Sequence, residues 1–319
     1  MNVLVTGATT PLGRALVGAL LASGDVGHVL AIGVEPAGPG LPPRGPRFSY
    51  EHADLTRPRI LHDLLFGAAR AAGIDTIVHG VLHRAMRDRG ERIHTINVEI
   101  TRMLLAACAR HPTIRRFVLR SGAEVYATRP DEPNVIDENH PMVFDPAAPQ
   151  WVRDRVEADL VACTQIAAGP LAIAIVRCAE ILAPDIGSQL WDYLGSRVCM
   201  RPFGFDPMIN VLSIEDAVDG LFRAMACDAR GVFNLPGFDT LPLSRLITRW
   251  GRRDVPVPGP LLAPLYWLRT QTVGFEFRYD MNLQRFHLGG VLEGARARSV
   301  LGYEPHHPLA RLAADVRAA

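Results

Sequence analysis

The chain has 319 residues, 48% hydrophobic and 21% charged, a composition that excludes a disordered chain and a disulfide-stapled mini-protein. Basic residues number 34 and acidic residues 33, so the net charge of +1 gives no general attraction to nucleic acid or to an anionic membrane. Five scattered cysteines without C-x-x-C spacing argue against a disulfide framework and a zinc site, and we predict no metal.

The first residues read MNVLVTGATT and lack the basic region and cleavage site of a signal peptide, so we expect a cytoplasmic protein. No apolar run approaches about 18 residues, the length that a membrane span needs. Neither nucleic acid nor a membrane is therefore predicted as a partner.

Short apolar runs alternate with helical segments along the first half of the chain. Strands are predicted at residues 3–6, 29–34, 76–79, 117–120 and 171–177, and helices at 11–23, 57–72, 93–110 and 150–168. Proline-rich loops are predicted at 36–46 and 128–149. This alternation predicts a Rossmann-like, doubly wound α/β fold, in which helices cover both faces of a parallel sheet.

After Arg177 the alternation gives way to shorter, proline-rich segments, with a helix predicted at 214–227 and a strand at 232–235. We predict a small C-terminal substrate lobe over the strand ends. Residues 1–177 and about 205–236 would form the dinucleotide-binding domain, and about 178–204 and 237–319 the lobe. Residues 256–267, rich in proline and aromatic side chains, suggest a lid or a subunit contact, with ordinary lobe core as the alternative.

A glycine turn joins the first predicted strand to the first helix. Its predicted phosphate-binding residues are Gly7, Thr10, Pro11, Leu12 and Gly13. Backbone amides and the positive end of a helix attract a pyrophosphate at such a turn. Thr10 stands where the usual spacing has a middle glycine, and its hydroxyl can cap a helix that starts at Pro11. The alternative is a tight turn that needs glycine for steric reasons alone.

Acidic residues after the predicted strand at 29–34 and just before the predicted helix at 57–72 are predicted to contact the adenosine half of a dinucleotide. Glu35 lies about 20 residues past the turn, where an acid accepts hydrogen bonds from ribose hydroxyls. A carboxylate there repels a 2′-phosphate, so NAD is predicted and NADP is less favoured. Asp54 and Leu55 are predicted beside the adenine. The alternatives are a solvated Glu35 and an Asp54 that belongs to a helix start.

These motifs resemble the extended short-chain dehydrogenase/reductase family, the NAD-dependent epimerases and dehydratases. The resemblance runs through T-G-A-T-T-P-L-G at 6–13, I-V-H-G at 77–80, V-Y at 125–126 and L-G-Y-E-P at 301–305, nearly the whole chain. It implies bound NAD, further cofactor contacts at Gly80 and Ser121, and a homodimer through the helices at 93–110 and 150–168.

The resemblance also implies a catalytic tyrosine, a lysine four residues later and a serine or threonine. This chain has Trp151, Arg155 and Gly122 at those positions, and it contains no lysine at all. Indole has no titratable proton near neutrality, so Trp151 cannot serve as an acid or a base. Arg155 keeps a positive charge and is predicted to grip the ribose, with a geometry that differs from that of lysine. The usual catalytic set is thus degenerate.

Three residues are candidates for replacement chemistry. Glu124 and Tyr126 follow the predicted strand at 117–120, and His83 follows the one at 76–79, at the sheet edge where ligands of α/β folds bind. Each has a structural alternative, as an exposed loop residue or a packing group. Arg84, Arg87, Arg89 and Arg92 either gather an anionic ligand or form a solvated helix start.

These residues leave three functions open. The first is an NAD-binding sensor, scaffold or partner subunit. This function explains why the glycine turn is retained while the helix at 150–168 lacks the usual catalytic residues. The second is an enzyme with rebuilt chemistry that acts on an unknown small molecule, either by hydride transfer or by a non-redox acid–base reaction through Glu124, Tyr126 or His83. The third is an ordinary epimerase or reductase whose catalytic residues lie elsewhere. Ile209 stands where the family's sugar-nucleotide enzymes usually carry an arginine, which weakens a sugar-nucleotide substrate.

Overall fold

A seven-stranded sheet lies at the centre of the chain in the computed structural model, which describes residues 1–38, 40–83, 89–273 and 277–309. The strands of these residues are β1 Asn2–Thr6, β2 His28–Gly33, β3 Phe48–His52, β4 Thr76–His79, β5 Arg116–Gly122, β6 Val135–Ile136, β7 Ala172–Cys178, β8 Glu180–Ile181, β9 Val198–Pro202, β10 Met208–Leu212, β11 Gly231–Leu235, β12 Asp239–Pro242, β13 Arg253–Val257 and β14 Val291–Leu292.

The helices are α1 Pro11–Ala22, α2 Pro58–Asp63, α3 Glu91–His94, α4 Ile100–Cys108, α5 Gln150–Gln165, α6 Gln189–Gly195, α7 Ile214–Ala226, α8 Leu243–Arg249, α9 Gly259–Val273 and α10 Leu283–Leu288. Wider π-helical turns continue α2 through Leu64–Ala69 and join α3 to α4 through Thr95–Glu99. A further π-helical turn spans Ala297–Leu301, and a single 3₁₀ turn, Ala123–Val125, follows β5.

The central sheet is parallel throughout and has the order β11-β7-β5-β4-β1-β2-β3. The chain moves from β1 to one side and returns through β4 on the other, so β1 and β4 flank the point where the strand order reverses. Ligands of open α/β sheets bind in the crevice at the carboxyl ends of such strands. The predicted Rossmann-like fold is confirmed.

Helices cover the sheet on both faces because alternate strand residues point to opposite sides. One buried cluster joins Val3 and Val5 of β1 to α1 and α7. A second cluster joins Leu4 of the same strand to α2 and α4. The inner strands therefore carry apolar side chains on both faces, which explains the continuous apolar runs in the sequence. No helix among the described residues combines the length and apolar character that a membrane crossing requires.

Three small sheets and a separate aromatic core form the second part of the molecule, which we call the lobe. These sheets pair β12 with β10 and β8, β13 with β9, and β14 with β6. Their core gathers Tyr193, Trp250, Tyr266 and Phe277. Strand β10 pairs with β8 and β12 in one of these sheets, whereas β11 pairs with β7 in the central sheet. The division of the chain into a dinucleotide-binding domain and a lobe stays a prediction.

The glycine turn depends on a very short distance between α1 and β1. Gly7 has φ +70°, a left-handed conformation that favours glycine. A Cβ on Gly13 would lie 2.1 Å from the Gly7 carbonyl oxygen. Only glycine at position 13 allows the first turn of α1 to sit this close to the end of β1.

We therefore expect Gly13→Ala to lower the free energy of unfolding by about 1–3 kcal/mol or more, because the helix must shift away from backbone that cannot yield. Gly18→Ala is the matched control on the same helix, since its added Cβ meets no atom within 4 Å. The control should stabilise the protein by up to about 1 kcal/mol. Urea unfolding of both variants measures the difference. Equal effects of the two substitutions would show that the close contact is unimportant.

Candidate active site

The glycine turn presents the start of α1 at the strand-reversal point. The Thr10 hydroxyl donates to the Gly7 carbonyl oxygen at 2.8 Å and accepts from the Gly13 N–H at 3.1 Å. Its side chain is thus folded back into the turn. Pro11 has no N–H, and the Leu12 amide lies in the first helical turn, where backbone donors lack partners within the helix. The cradle fits an anion such as a pyrophosphate, although Thr10 already engages one of its amides.

Glu35 lies directly beside this turn. The Thr9 hydroxyl donates to Glu35 Oε2 at 2.5 Å, and the Tyr50 hydroxyl donates to the Glu35 carbonyl oxygen. Burial and the nearby Glu35 raise the pKa of Tyr50, which keeps its hydroxyl a donor. Thr9 of the glycine turn therefore holds the exposed Glu35 carboxylate, while Tyr50 of β3 holds the Glu35 backbone, an arrangement that suits a ribose-binding acid.

Asp54 belongs to the turn that precedes α2. Its Oδ1 accepts from the Thr56 hydroxyl at 2.6 Å and from the Thr56 N–H at 3.1 Å. The Thr56 hydroxyl lowers the pKa of Asp54 most, and Arg57 lowers it further. Leu55 is buried. The carboxylate of Asp54 thus supports the local turn, the alternative that the sequence left open, and its predicted contact with adenine stays a prediction.

The ends of β4 and β5 form the floor of the crevice. The Gly80 N–H donates to the Thr6 hydroxyl at 3.2 Å, which ties β4 to β1. The Ser121 hydroxyl donates to Asp159 Oδ2 at 2.6 Å, and Asp159 also binds Arg177 at 2.6 Å. All three side chains are buried, and a contact of Ser121 with a cofactor stays a prediction that its backbone would have to fulfil.

His79 lies below this floor. Its Nδ1 is 2.8 Å from the Thr6 hydroxyl and its Nε2 is 3.1 Å from the Thr101 hydroxyl. Complete burial, with a further contribution from the charge of Arg155, lowers the pKa of His79 to about 3. His79 is therefore a neutral packing residue that bridges β1, β4 and α4.

The three positions predicted to differ from the family's catalytic set lie at the end of β5 and on α5. Trp151 and Arg155 are both buried, and Arg155 Nη1 donates to the Arg120 carbonyl oxygen at 2.6 Å. A Cβ on Gly122 would lie 2.1 Å from Glu124 Oε2. The Glu124 carboxylate thus occupies the space into which a serine or threonine side chain would project. Its Oε1 lies 3.9 Å from Arg155 Nε.

Tyr126 and His83 have different surroundings. The buried Tyr126 hydroxyl donates to Asn234 Oδ1 at 2.6 Å, and burial raises the pKa of Tyr126 to about 12. The backbone of His83 is held by Asn97, which accepts from its N–H at 2.8 Å and donates to its carbonyl oxygen at 3.2 Å. Arg84 and Arg87 lie outside the described residues, and Arg89 and Arg92 are exposed.

A cavity of about 410 Å³ opens beside Glu124, between the sheet edge and the lobe. It brings Glu124, Tyr126 and Trp151 together, while His83 is not among its lining residues. The lobe contributes polar side chains that the sequence did not single out: Glu180, Gln189, Asn210, Asn282 and Arg285.

Glu180 and Arg285 form the charged contact at the lobe side of the cavity. Their Oε2 and Nη1 atoms lie 3.2 Å apart, and the Ser188 hydroxyl donates to the other oxygen of Glu180. These residues come from three separate segments without a local motif, so only the folded chain reveals them. No group of three potential metal ligands converges anywhere in the residues described.

Comparison with known proteins assigns the family. Residues 3–190 match the NAD dependent epimerase/dehydratase family, and the chain belongs to it. This confirms the predicted family and NAD as the cofactor by which the family is defined. An uncharacterized protein of Mycobacterium tuberculosis H37Rv is 30% identical over 309 residues, which cover 95% of this chain and 80% of that protein.

A second relative has a named activity. The 3-diazoavenalumate denitrifying reductase of a Streptomyces species is 28% identical over 318 residues, or 97% of each chain. Among solved structures, UDP-glucuronic acid 4-epimerase from Bacillus cereus aligns with a TM-score of 0.72 at 17% identity, covering 98% of this chain and 97% of that one. An NAD-bound short-chain dehydrogenase/reductase superfamily protein from Agrobacterium tumefaciens gives 0.72 at 21%, covering 100% and 98%. The similarity to these two structures shows that the chain shares their fold.

A double-mutant cycle tests the packing of Glu124 against Gly122. We expect Gly122→Ser alone to lower the free energy of unfolding by about 1–2 kcal/mol, because the new side chain drives Glu124 away from buried Arg155. In a Glu124→Ala background the same substitution should cost less by about 1 kcal/mol. Chemical unfolding of the four proteins provides the coupling. Equal costs in both backgrounds would show that Glu124 does not fill the position.

The pH dependence of stability tests the neutral state of His79. The unfolded histidine binds a proton below its ordinary pKa of 6.5, whereas the folded one does not until about pH 3. Folding therefore loses up to about 1.4 kcal/mol per pH unit as pH falls through this window. The wild-type advantage over His79→Asn should shrink between pH 7.5 and pH 5 in urea unfolding. An advantage that stays constant across this range would contradict the assignment.

Proposed function

We propose that this chain is an NADH-dependent reductase that transfers hydride without the family's tyrosine–lysine proton relay. The observation that carries the proposal is the Glu124 carboxylate packed against Gly122, next to Trp151 and a formed cavity. The site keeps a dinucleotide cradle and a space for a small molecule, but the O–H groups of the usual relay are replaced. Such a site suits hydride acceptors that need no proton from the protein.

The residues of the cradle fit NAD. The turn with Gly7, Leu12 and Gly13 would receive the pyrophosphate, and Glu35 would accept from the adenosine ribose. Bound NADH supplies hydride from its nicotinamide ring. Thr9 orients Glu35 by its 2.5 Å hydrogen bond, and the carboxylate would repel the extra phosphate of NADPH. The predicted grip of Arg155 on the ribose is part of this proposal.

The altered relay restricts the acceptor chemistry. Reduction of a ketone places a proton on oxygen. The indole of Trp151 cannot supply this proton, and the Tyr126 hydroxyl already donates its hydrogen bond to Asn234. When hydrogen replaces a diazonium group, hydride forms the new C–H bond and dinitrogen leaves with the C–N electron pair. No oxygen is protonated in that reaction. The name of the Streptomyces relative, a denitrifying reductase of a diazo compound, supports this class of acceptor.

Glu124 is the side chain that we assign to the acceptor. It lines the cavity, and its carboxylate stands where the family's substrate-orienting hydroxyl would be. The Nε atom of Arg155 lies 3.9 Å from the Glu124 Oε1 atom. An electron-poor, positively charged acceptor is attracted by this carboxylate, whereas a developing alkoxide is repelled by it.

The second candidate is a dinucleotide-binding sensor, scaffold or partner subunit. It is favoured by the simultaneous change of three catalytic positions, Gly122, Trp151 and Arg155. Dimerisation through the predicted segments 93–110 and 150–168, whose helices α4 and α5 pack against each other within the chain, would suit that role as well. The two candidates differ in turnover and not in cofactor binding.

The test combines binding with turnover. Calorimetry should show NADH binding at least about tenfold tighter than NADPH, because Glu35 repels the 2′-phosphate. Oxidation of NADH, followed at 340 nm, should then proceed with 4-methoxybenzenediazonium at least about tenfold faster than with 4-methoxyacetophenone, after subtraction of the rate without protein. Glu124→Gln should lower kcat about tenfold or more with NADH affinity unchanged.

Glu157→Gln is the matched control, since it makes the same exchange at a partly exposed carboxylate of α5 that pairs with Arg102 and does not line the cavity, and it should keep turnover within about threefold. Absence of binding by every dinucleotide would overturn both candidates. Tight binding without turnover of any acceptor would favour the sensor. Faster reduction of the ketone than of the diazonium ion would show that a proton donor operates in the site.

A further inference from the structure

Helix α9 carries large apolar side chains on the side that faces solvent. Leu262 and Tyr266 are buried in the lobe core. Leu261, Leu265 and Leu268 follow at i, i+4 and i+7, so they share one face, and they are 52%, 38% and 51% exposed. A helix of a globular protein usually presents polar residues to water, so apolar residues on both sides indicate a second apolar environment.

Two aromatic side chains extend this surface. Trp267 of α9 is 63% exposed and Phe203 is 70% exposed. The Phe203 N–H donates to the Val257 carbonyl oxygen at 2.8 Å, which places Phe203 beside the segment leading into α9 at Gly259. We refer to Phe203, Leu261, Leu265, Trp267 and Leu268 as the α9 patch. A concentration of exposed large apolar side chains along one helix indicates an interaction site.

Arginines border the α9 patch. Arg269, on α9 itself, donates to the Val198 carbonyl oxygen at 2.9 Å. The preceding residue, Arg197, is exposed, and its carbonyl oxygen accepts from the N–H of exposed Arg253. Helix α9 contains no acidic residue, and the nearby Asp254 carboxylate is bound by Arg201 at 2.9 Å. The end of the patch where β9 and β13 begin is therefore positive, although the whole chain carries a net charge of only +1.

We propose that the α9 patch docks on an anionic lipid surface. Leucine side chains and an exposed tryptophan insert at the boundary between headgroups and acyl chains, while flanking arginines bind lipid phosphates. This is attachment in the plane of the interface and requires no membrane-spanning helix. A second copy of the chain fits less well, because α9 offers no carboxylate to the arginines that a symmetric contact brings together.

Vesicle binding of the full chain tests the proposal. Sedimentation with phosphatidylglycerol–phosphatidylcholine vesicles should remove the protein from solution, with at least tenfold weaker binding to pure phosphatidylcholine. The emission of Trp267 should shift to the blue on binding; Trp151 and Trp250 are buried and Trp191 is partly so, and the shift should disappear in Trp267→Phe. The double variant Leu261→Ser and Leu268→Ser should lose at least tenfold in vesicle affinity.

Val300→Ser is the matched control, because Val300 is 52% exposed, as Leu268 nearly is, and lies outside the patch. It should bind vesicles like the wild type. Arg253→Gln should weaken binding several-fold at low salt. Absence of binding to anionic vesicles, or equal binding by the double variant and the control, would overturn the proposal. Self-association in analytical ultracentrifugation that the double variant abolishes would assign the patch to a second copy instead.

Discussion

The constraint on which the site depends is the contact between the first turn of α1 and the end of β1. Gly13 approaches the Gly7 carbonyl oxygen at a distance that no side chain permits. That approach aims the helix start at the crevice where the strand order reverses. The Thr9 hydroxyl in the same turn binds the Glu35 carboxylate. The cavity beside Glu124 opens along the same edge of the sheet.

Most of the central sheet could be predicted from the sequence because its strands are buried on both faces. The apolar runs gave β1, β2, β4, β5 and β7 to within one or two residues. Strand β3 lies at the sheet edge and is only half-buried, so its sequence FSYEH contains no apolar run. Strand β6, within a predicted loop, has two residues and pairs with β14 far along the chain. Such partners leave no local periodicity.

The residues of the candidate site also differ in how far the sequence could predict them. The glycine turn and Glu35 follow a fixed spacing along one βαβ unit and could be predicted. The absence of the family's usual catalytic residues is inferred from the identities at three positions alone, and it stays a prediction. The position of the Glu124 carboxylate against Gly122 depends on the conformation of that side chain. The ion pair between Glu180 and Arg285 joins residues more than a hundred positions apart. Neither could be inferred without the tertiary structure.

The guanidinium of Arg155, at the position where the resemblance implies a lysine, determines how the charge of the cleft depends on pH. Arginine does not release its proton in proteins, so the charge beneath Glu124 is constant over the whole range in which a lysine would titrate. An alkaline limit to activity would have to arise from another group. The same position is closed to imine formation with carbonyl compounds, and amine-selective reagents find no side chain to acylate in a sequence without lysine.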